Sequence, residues 1–303
     1  MPSLKTIRKR ITSVKATQKI TKAMKMVAGA RLSRAQQRIT ALRPYAIKTQ
    51  EILSGVAVAM MNKETDVDYK ASGTNDGLHP LLQRRPEKTV LLVVLSGDRG
   101  LAGAFNANAS KAAFSTWRGK QDAGAEVQIV TAGKKGRDFL ARRKATIARD
   151  FPKMYDGLDL PKARTLAEFV TRKFEKAEVD SVYIVYNEFK SAITQQIVVE
   201  PLLPLPAPPA RKDGALEPEY LFEPNERSVL ERLMPMYVET SIYRALLESH
   251  ASELGARMTA MDAATRNAKD MIARLTLVYN RARQAAITKE LMEIIGGAEA
   301  LKE

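Results

Sequence analysis

The segment LLVVLSGDRGLAGAFN, residues 91–106, carries the residue types of a phosphate site. An apolar run of strand type breaks into a loop with Gly97, Gly100 and Gly103 at spacing three, and a helical pattern follows. Backbone N–H groups in such a turn, with the positive end of a helix dipole, attract anions. A second turn, TAGKKGRD (131–138), sets Gly133, Lys134, Lys135 and Gly136 behind another apolar run. Neither turn completes a nucleotide motif. The first lacks the order G-x-G-x-x-G, the chain has no G-x-x-x-x-G-K followed by Ser or Thr, and the second has no hydroxyl or acid arranged for a metal. Glycine is also needed wherever a buried strand reverses sharply, and the structural turn is the favoured reading of both.

Other chemistry finds no footing. There is no G-x-S-x-G and no H-E-x-x-H. The chain has no cysteine, hence no disulfide framework, thiol nucleophile or thiolate metal site. His79 and His250 are far apart and fit no metal-ligand spacing. Glu168, Glu175 and Glu178 fall on a helix rich in Lys and Arg, as a solvated face would. The sequence therefore predicts no catalytic residue, no cofactor-binding residue and no metal site.

At 303 residues, 45% hydrophobic and 27% charged, the chain has the balance of a folded protein of one large or two ordinary domains. It has no run of ~18 uncharged apolar residues to span a bilayer, and MPSLKTIRKR has no apolar core of signal-peptide type. The net charge of +15 is concentrated at one end: residues 1–50 hold thirteen Lys and Arg and no Asp or Glu.

From Ser3, a candidate N-cap, apolar residues recur at helical spacing through Leu4, Ile7, Ile11, Val14, Met24, Ala28, Leu32, Ala35, Ile39, Leu42, Ala46, Leu53, Val56 and Met60. From Ala28 the steps alternate four and three, as in a heptad seam. Between Val14 and Met24 the seam carries Gln18 and Thr21 and is expected to slip phase, like a stammer. One helix of nearly sixty residues is predicted, with Pro44 as a candidate kink. Leu247, Ala251, Leu254, Met258, Met261, Thr265, Ala268, Ile272, Leu275, Tyr279, Ala282 and Ala286 repeat the pattern in a second long helix. That helix should begin near Asn225 or after Pro235 and stop at Gly296–Gly297. The two seams most simply pair as an antiparallel coiled coil.

Between them, TVLLVVLS (89–96), EVQIVTAG (126–133) and SVYIVYNEF (181–189) alternate with helical stretches near 106–121, 134–144 and 160–178. That alternation predicts an α/β domain with a mainly parallel sheet, to which 191–203 adds a strand by hairpin. The expected organisation is a coiled-coil helix over 1–61, a connector over 62–88, a Rossmann-like α/β domain over 89–203, a Pro-rich connector over 204–224 and a second coiled-coil helix over 225–303.

Like charges at i,i+3 and i,i+4, such as Arg31 with Arg34 and Arg34 with Arg38, weaken a helix by a few tenths of a kcal/mol each. The C-terminal helix cannot offset them: from Glu226 onward eleven acids balance eleven bases. An acidic partner outside the chain is implied. The last turns, QAAITKELMEIIGGAEAL (284–301), place apolar residues around most of the helix circumference, more than one companion helix can cover. Burial within another protein is the favoured reading, burial in the chain's own core the alternative.

Two segments, IRKRITSVKATQKITKAMKMVAGARL (7–32) and 251–301 from ASELGARM to GGAEAL, closely resemble the gamma subunit of the rotary ATP synthase. The loop DRGLAG resembles that family's D-R-G-L-C-G, with Ala102 where cysteine is common. The resemblance implies a non-catalytic shaft that couples rotation of a proton-driven membrane ring to the conformational cycle of the catalytic beta subunits. It implies an antiparallel coil inside a hexamer of alpha and beta subunits, and an α/β foot touching the epsilon subunit and the rotor ring, with no nucleic acid and no lipid insertion. By resemblance, Arg283 and Gln284 match positions that bond acidic catch loops of beta, and Met24 one near its coupling loops. Thr21, Lys22, Arg281 and Thr288 join them as expected partner-binding residues. The location implied is peripheral, on the cytoplasmic face of a bacterial inner membrane or the matrix face of an organellar one. The rival reading is a basic coiled-coil nucleic-acid-binding protein, suggested by a pI near 9.9 and weakened by a lone aromatic, Tyr45, in the first fifty residues.

Overall fold

A computed structural model describes residues 3–64, 79–205, 223 and 226–300. Most of the polar stretch 62–77 and the Pro-rich stretch 203–220 lies outside them. Two long helices, α1 (Leu4–Glu64) and α5 (Glu226–Ala300), bracket a five-stranded sheet. Compactness divides the chain into Met1–Ala30 with Arg257–Glu303 as one unit and Arg31–Ala256 as another. These divisions fall within the long helices, not at the ends of secondary-structure elements.

In the larger unit, β1 (Thr89–Leu95), β2 (Glu126–Ala132), β3 (Ile147–Phe151), β4 (Ser181–Phe189) and β5 (Gln195–Leu203) lie in the order β3-β2-β1-β4-β5. All pairings are parallel except the β4–β5 hairpin. β1 is buried from Val90 to Leu95, as a central strand covered on both faces must be. Its Val90, Leu92 and Val94 pack with Ala113 and Trp117 of α2 (Phe105–Asp122) and Leu140 of α3 (Lys134–Ala141). The helix α4 (Leu160–Glu175) returns the chain from the edge strand β3 to β4 and buries Leu166, Val170 and Phe174. By the right-handed crossover rule it covers the opposite face.

The three parallel strands and three helices read from the sequence are present. The edge strand β3 is an addition. Leu81 and Leu82 of a 3-10 turn (Pro80–Leu82) that meets α4 are buried, so the described end of the expected connector 62–88 is core, not spacer. The segment of α5 before Gly255 is fastened to the sheet: Ser252 Oγ donates to the Asn187 carbonyl at 3.0 Å, and Glu248 accepts the Phe189 amide at 3.0 Å and Arg43 of α1 at 3.1 Å.

In the smaller unit α1 and α5 run antiparallel. Arg8 meets Tyr279, Thr21 meets Thr265 and Lys25 meets Asp262, so one number falls as the other rises. Sheltered positions of α1 step by three and four through 4, 7, 11, 14, 18, 21, 25, 28 and on through 32, 35, 39, 42, 46, 49 and 53, and Met24, Gly29 and Ile52 beside that row are half-buried as well. At the expected phase slip the seam is thus widened, with both Met24 and Lys25 half-buried. The aliphatic stem of Lys25 fills the seam while its ammonium reaches Asp262 at 2.6 Å, and a search for apolar types alone passes over such a residue. The expected stop at Gly296–Gly297 is also corrected, because α5 continues to Ala300. Glycine ends a helix by adopting positive φ, and neither residue does so.

Candidate functional site

The crest of the sheet, at the carboxyl ends of β1 and β4, is the switch point where open α/β folds bind ligands. Here the chain's own groups occupy it. A helix begins with four amides that lack partners within it. In α3, the N-cap Gly133 N donates to the Phe151 carbonyl at 3.3 Å, Lys134 N to Asp98 Oδ1 at 3.0 Å, Lys135 N to the Gly97 carbonyl at 3.1 Å and Gly136 N to Ser96 Oγ at 2.8 Å. The other oxygen of Asp98 accepts Lys153 N at 3.1 Å. The Gly97 amide donates to Asn106 Oδ1 at 2.8 Å.

Two glycines are there because the backbones are pressed together. At Gly133, with φ 111°, a Cβ would fall 1.9 Å from the Ser96 carbonyl oxygen. At Gly97 it would fall 2.8 Å from Glu253 Oε1 of α5. The turn that resembles a phosphate cradle in sequence is thus filled by Asp98, Asn106 and Glu253, and two of these are carboxylates that repel a phosphate. Burial pushes the neighbouring Tyr155 phenol well above its ordinary range, and its hydroxyl meets Ser249 of α5 at 3.1 Å. Among the described residues no group of three His, Cys, Asp or Glu could hold a metal ion.

The smaller unit offers a different kind of site. Pairing of residues 8 with 279 and 25 with 262 sets Leu4 opposite the level of residue 283. The shelter on α5 accordingly ends at Ala286, and residues 287–295 are all exposed. Ile287, Leu291, Met292, Ile294 and Ile295 stand in solvent, Ile294 at 69%. Lys5, Lys9, Arg10, Lys15, Lys19, Arg274, Arg281 and Arg283 have no carboxylate within bridging distance among the described residues. A chain end combining open apolar surface with unneutralised cations is built to be enclosed by something else.

The expected partner-binding residues fall at two levels. Arg281, Gln284 and Thr288 lie three and four apart on one exposed stripe of α5, with Arg283 exposed beside them. Lys22 is exposed and Met24 half-buried beside the seam. Thr21 is inside it at 8% exposure, with its hydroxyl donating to the Gln18 carbonyl at 3.1 Å and lying 2.8 Å from that of Thr265. Residue 265, opposite Thr21, is sixteen positions from 281. At 1.5 Å per residue the two groups stand about 24 Å apart along the helix, so they make two sites and not one.

Sequence reasoning missed Asp262, which accepts from Lys25 and also bridges Arg266 at 3.1 Å. The hydrogen bond from Lys25 holds its carboxyl below the ordinary aspartate range. It missed Arg8 as well, whose guanidinium donates to the Tyr279 hydroxyl at 2.7 Å and lies 5.6 Å from that ring's centroid. An acid on one seam at the level of a base on the other is a readable signal, but only once the register is known.

An antiparallel two-helix coil with an uncovered apolar cationic end, attached in sequence to an α/β domain with a mostly parallel sheet, is the architecture of a shaft subunit. The chain belongs to the gamma-chain family of the ATP synthase, the family of its central rotary shaft: the model described as ATP synthase matches residues 3–301. It is 55% identical to the ATP synthase gamma chain of Sorangium cellulosum (strain So ce56) and 47% identical to that of Anaeromyxobacter sp. (strain Fw109-5), covering all of this chain and of each relative. Among solved structures it is similar to a chain of the central stalk and c-ring of Tetrahymena thermophila mitochondrial ATP synthase. That likeness has a TM-score of 0.59 at 26% identity and covers 81% of this chain and 99% of that one. A rotor chain of the Euglena gracilis mitochondrial enzyme shares the fold, with a TM-score of 0.61 at 20% identity over 94% of this chain and 98% of that one. These findings give no support to the nucleic-acid reading. No helix among the described residues is long and apolar enough to cross a membrane.

Proposed function

We propose that the chain does no chemistry itself and transmits torque by presenting different faces to the catalytic beta subunits of an alpha–beta hexamer as it turns. The observation that carries this is the end of α5, where open apolar surface and unpaired cations coincide on a helix that has outrun its companion. Two helices have no threefold symmetry, so three catalytic sites around them meet three different surfaces. Each orientation stabilises one conformation of a beta subunit over the others, and rotation exchanges the preferences in turn. Long-range attraction between cations and acidic loops varies slowly with angle and offers little resistance. Short hydrogen bonds from Arg281, Arg283, Gln284 and Thr288 form only at particular angles and tie shaft position to site closure. Lys22 and Met24 act about 24 Å along the coil, and Thr21 supports them from within the seam.

The remaining partners, the epsilon subunit and the membrane ring, are engaged by the α/β domain. The complex sits on the cytoplasmic face of a bacterial inner membrane or the matrix face of an organellar one. Arg283→Ala with Gln284→Ala tests the reading: both side chains are exposed, so the chain should fold and assemble while ATP synthesis and hydrolysis fall together. Full coupling in a correctly assembled double mutant would remove these residues from the contact.

A further inference from the structure

The outer surface of α2 and α3 carries an arrangement that the shaft role does not use. Arg118 lies 5.6 Å from the centroid of Phe114 and 5.3 Å from that of Trp117. Arg143 lies 5.3 Å from the same Phe114 ring and 3.6 Å from Phe139, with one N–H given to the Phe139 carbonyl at 3.1 Å. Phe114 and Trp117 meet edge to face at 5.7 Å. Neither arginine has a carboxylate partner among the described residues, although both are exposed.

The surroundings are mainly positive. Residues 105–144, which hold α2 and α3, contain nine Lys and Arg, these two among them, against Asp122, Glu126 and Asp138. Among the described residues Arg137 is paired with Asp138 and Asp150, and Lys120 with Glu87. Cations normally disperse across a surface because they repel. Here two guanidiniums share one ring, at 5.6 and 5.3 Å from its centroid, and a guanidinium drawn to a ring keeps N–H groups that can still donate.

We propose that this face of α2 and α3 is a docking surface for an acidic polypeptide segment of another protein. A planar guanidinium meets a carboxylate through two parallel hydrogen bonds, and a fork already held in place loses less freedom on binding. A lipid surface fits less well, since no large apolar side chain between residues 102 and 159 is exposed to enter it. Nucleic acid fits less well too, because Trp117 is buried and the arginines cover the rings on which bases would stack.

The single tryptophan of the chain reports on the site directly. The full-length protein is titrated with a fluorescein-labelled twelve-residue Glu/Asp peptide, followed by peptide anisotropy and, with unlabelled peptide, by Trp117 emission. The expected result is a saturable emission change, with affinity falling about tenfold or more in Arg118→Gln/Arg143→Gln and by a smaller factor in Arg118→Lys/Arg143→Lys, which keeps the charge but not the fork. Lys9→Gln/Arg10→Gln, in the other compact unit, should leave the emission response unchanged. An emission response that is absent at saturating peptide, or equal affinity in the Gln variant with unaltered circular dichroism, overturns the proposal. So does stronger binding of phosphatidylglycerol vesicles or duplex DNA at the same arginines.

Discussion

The sheet-bearing unit and the coil end of α5 handle the same problem, unfulfilled polar and apolar groups, in opposite ways. At the crest of the sheet the four leading amides of α3 all find acceptors in the chain, and β1 is buried for six consecutive residues. Over residues 287–295 nothing is covered, and five large apolar side chains face water beside unpaired cations. The first region is complete as a folding unit. The second is complete only in company, because isolated apolar surface of this extent on a helix is an unfinished interface. Stability and function are thus housed in different residues, which makes the contrast testable by substitution.

The largest effect belongs to the core. Leu92→Ala deletes a fully buried side chain of β1 and should cost about 2–5 kcal/mol in urea unfolding, with amide exchange accelerated across the sheet. A loss below 1 kcal/mol would mean that the strand is not the central one. Glu248→Ala strands the buried Phe189 amide and releases Arg43, for about 1–3 kcal/mol. Asp98→Ala removes a cap from α3 and should cost about 1 kcal/mol. By calorimetry it should also let inorganic phosphate bind weakly while the parent protein should give no binding, and a variant that stays inert would show that filling is not what closes the crest.

The coil supplies the smaller effects. The Asp262 carboxyl is held below its ordinary range by Lys25, so its contribution is present above that range and is lost as pH falls through the depressed native value. Asp262→Asn should remove this acid-side dependence and change stability at neutral pH only slightly, since both partners are partly exposed and water screens the pair. Leu291→Ser with Ile294→Ser should alter the isolated chain by less than about 0.5 kcal/mol per site while assembly with alpha and beta subunits weakens. If thermal unfolding of the isolated chain drops markedly instead, the end of α5 is covered by the chain itself and the comparison fails.

How much was legible in the sequence follows from the range of the forces involved. β1 is a continuous apolar run and β2 and β4 are rich in β-branched or aromatic residues, and such signals are written locally. β3 is an edge strand, IARDF, in which Phe151 is the one buried position, so its pairing with β2 had no pattern to announce it. The apolar circumference of the last helix is a property of one segment and could be read directly. Lys25 could not be assigned to the seam, because its place depends on Asp262, 237 residues away. Nor could the filling of the crest be seen, since Asp98 meets Lys134 and Lys153 only after β2 and β3 have been laid beside β1.

The stoppered crest has one consequence for a protein of this family. Adenine nucleotides and free phosphate rise and fall with the metabolic state of the cell, and many α/β domains change form with them. With Asp98 already seated on amides such compounds would seek, the crest offers them no free N–H at the start of α3. A transmission part that never senses the fuel can relay motion faithfully whatever the supply.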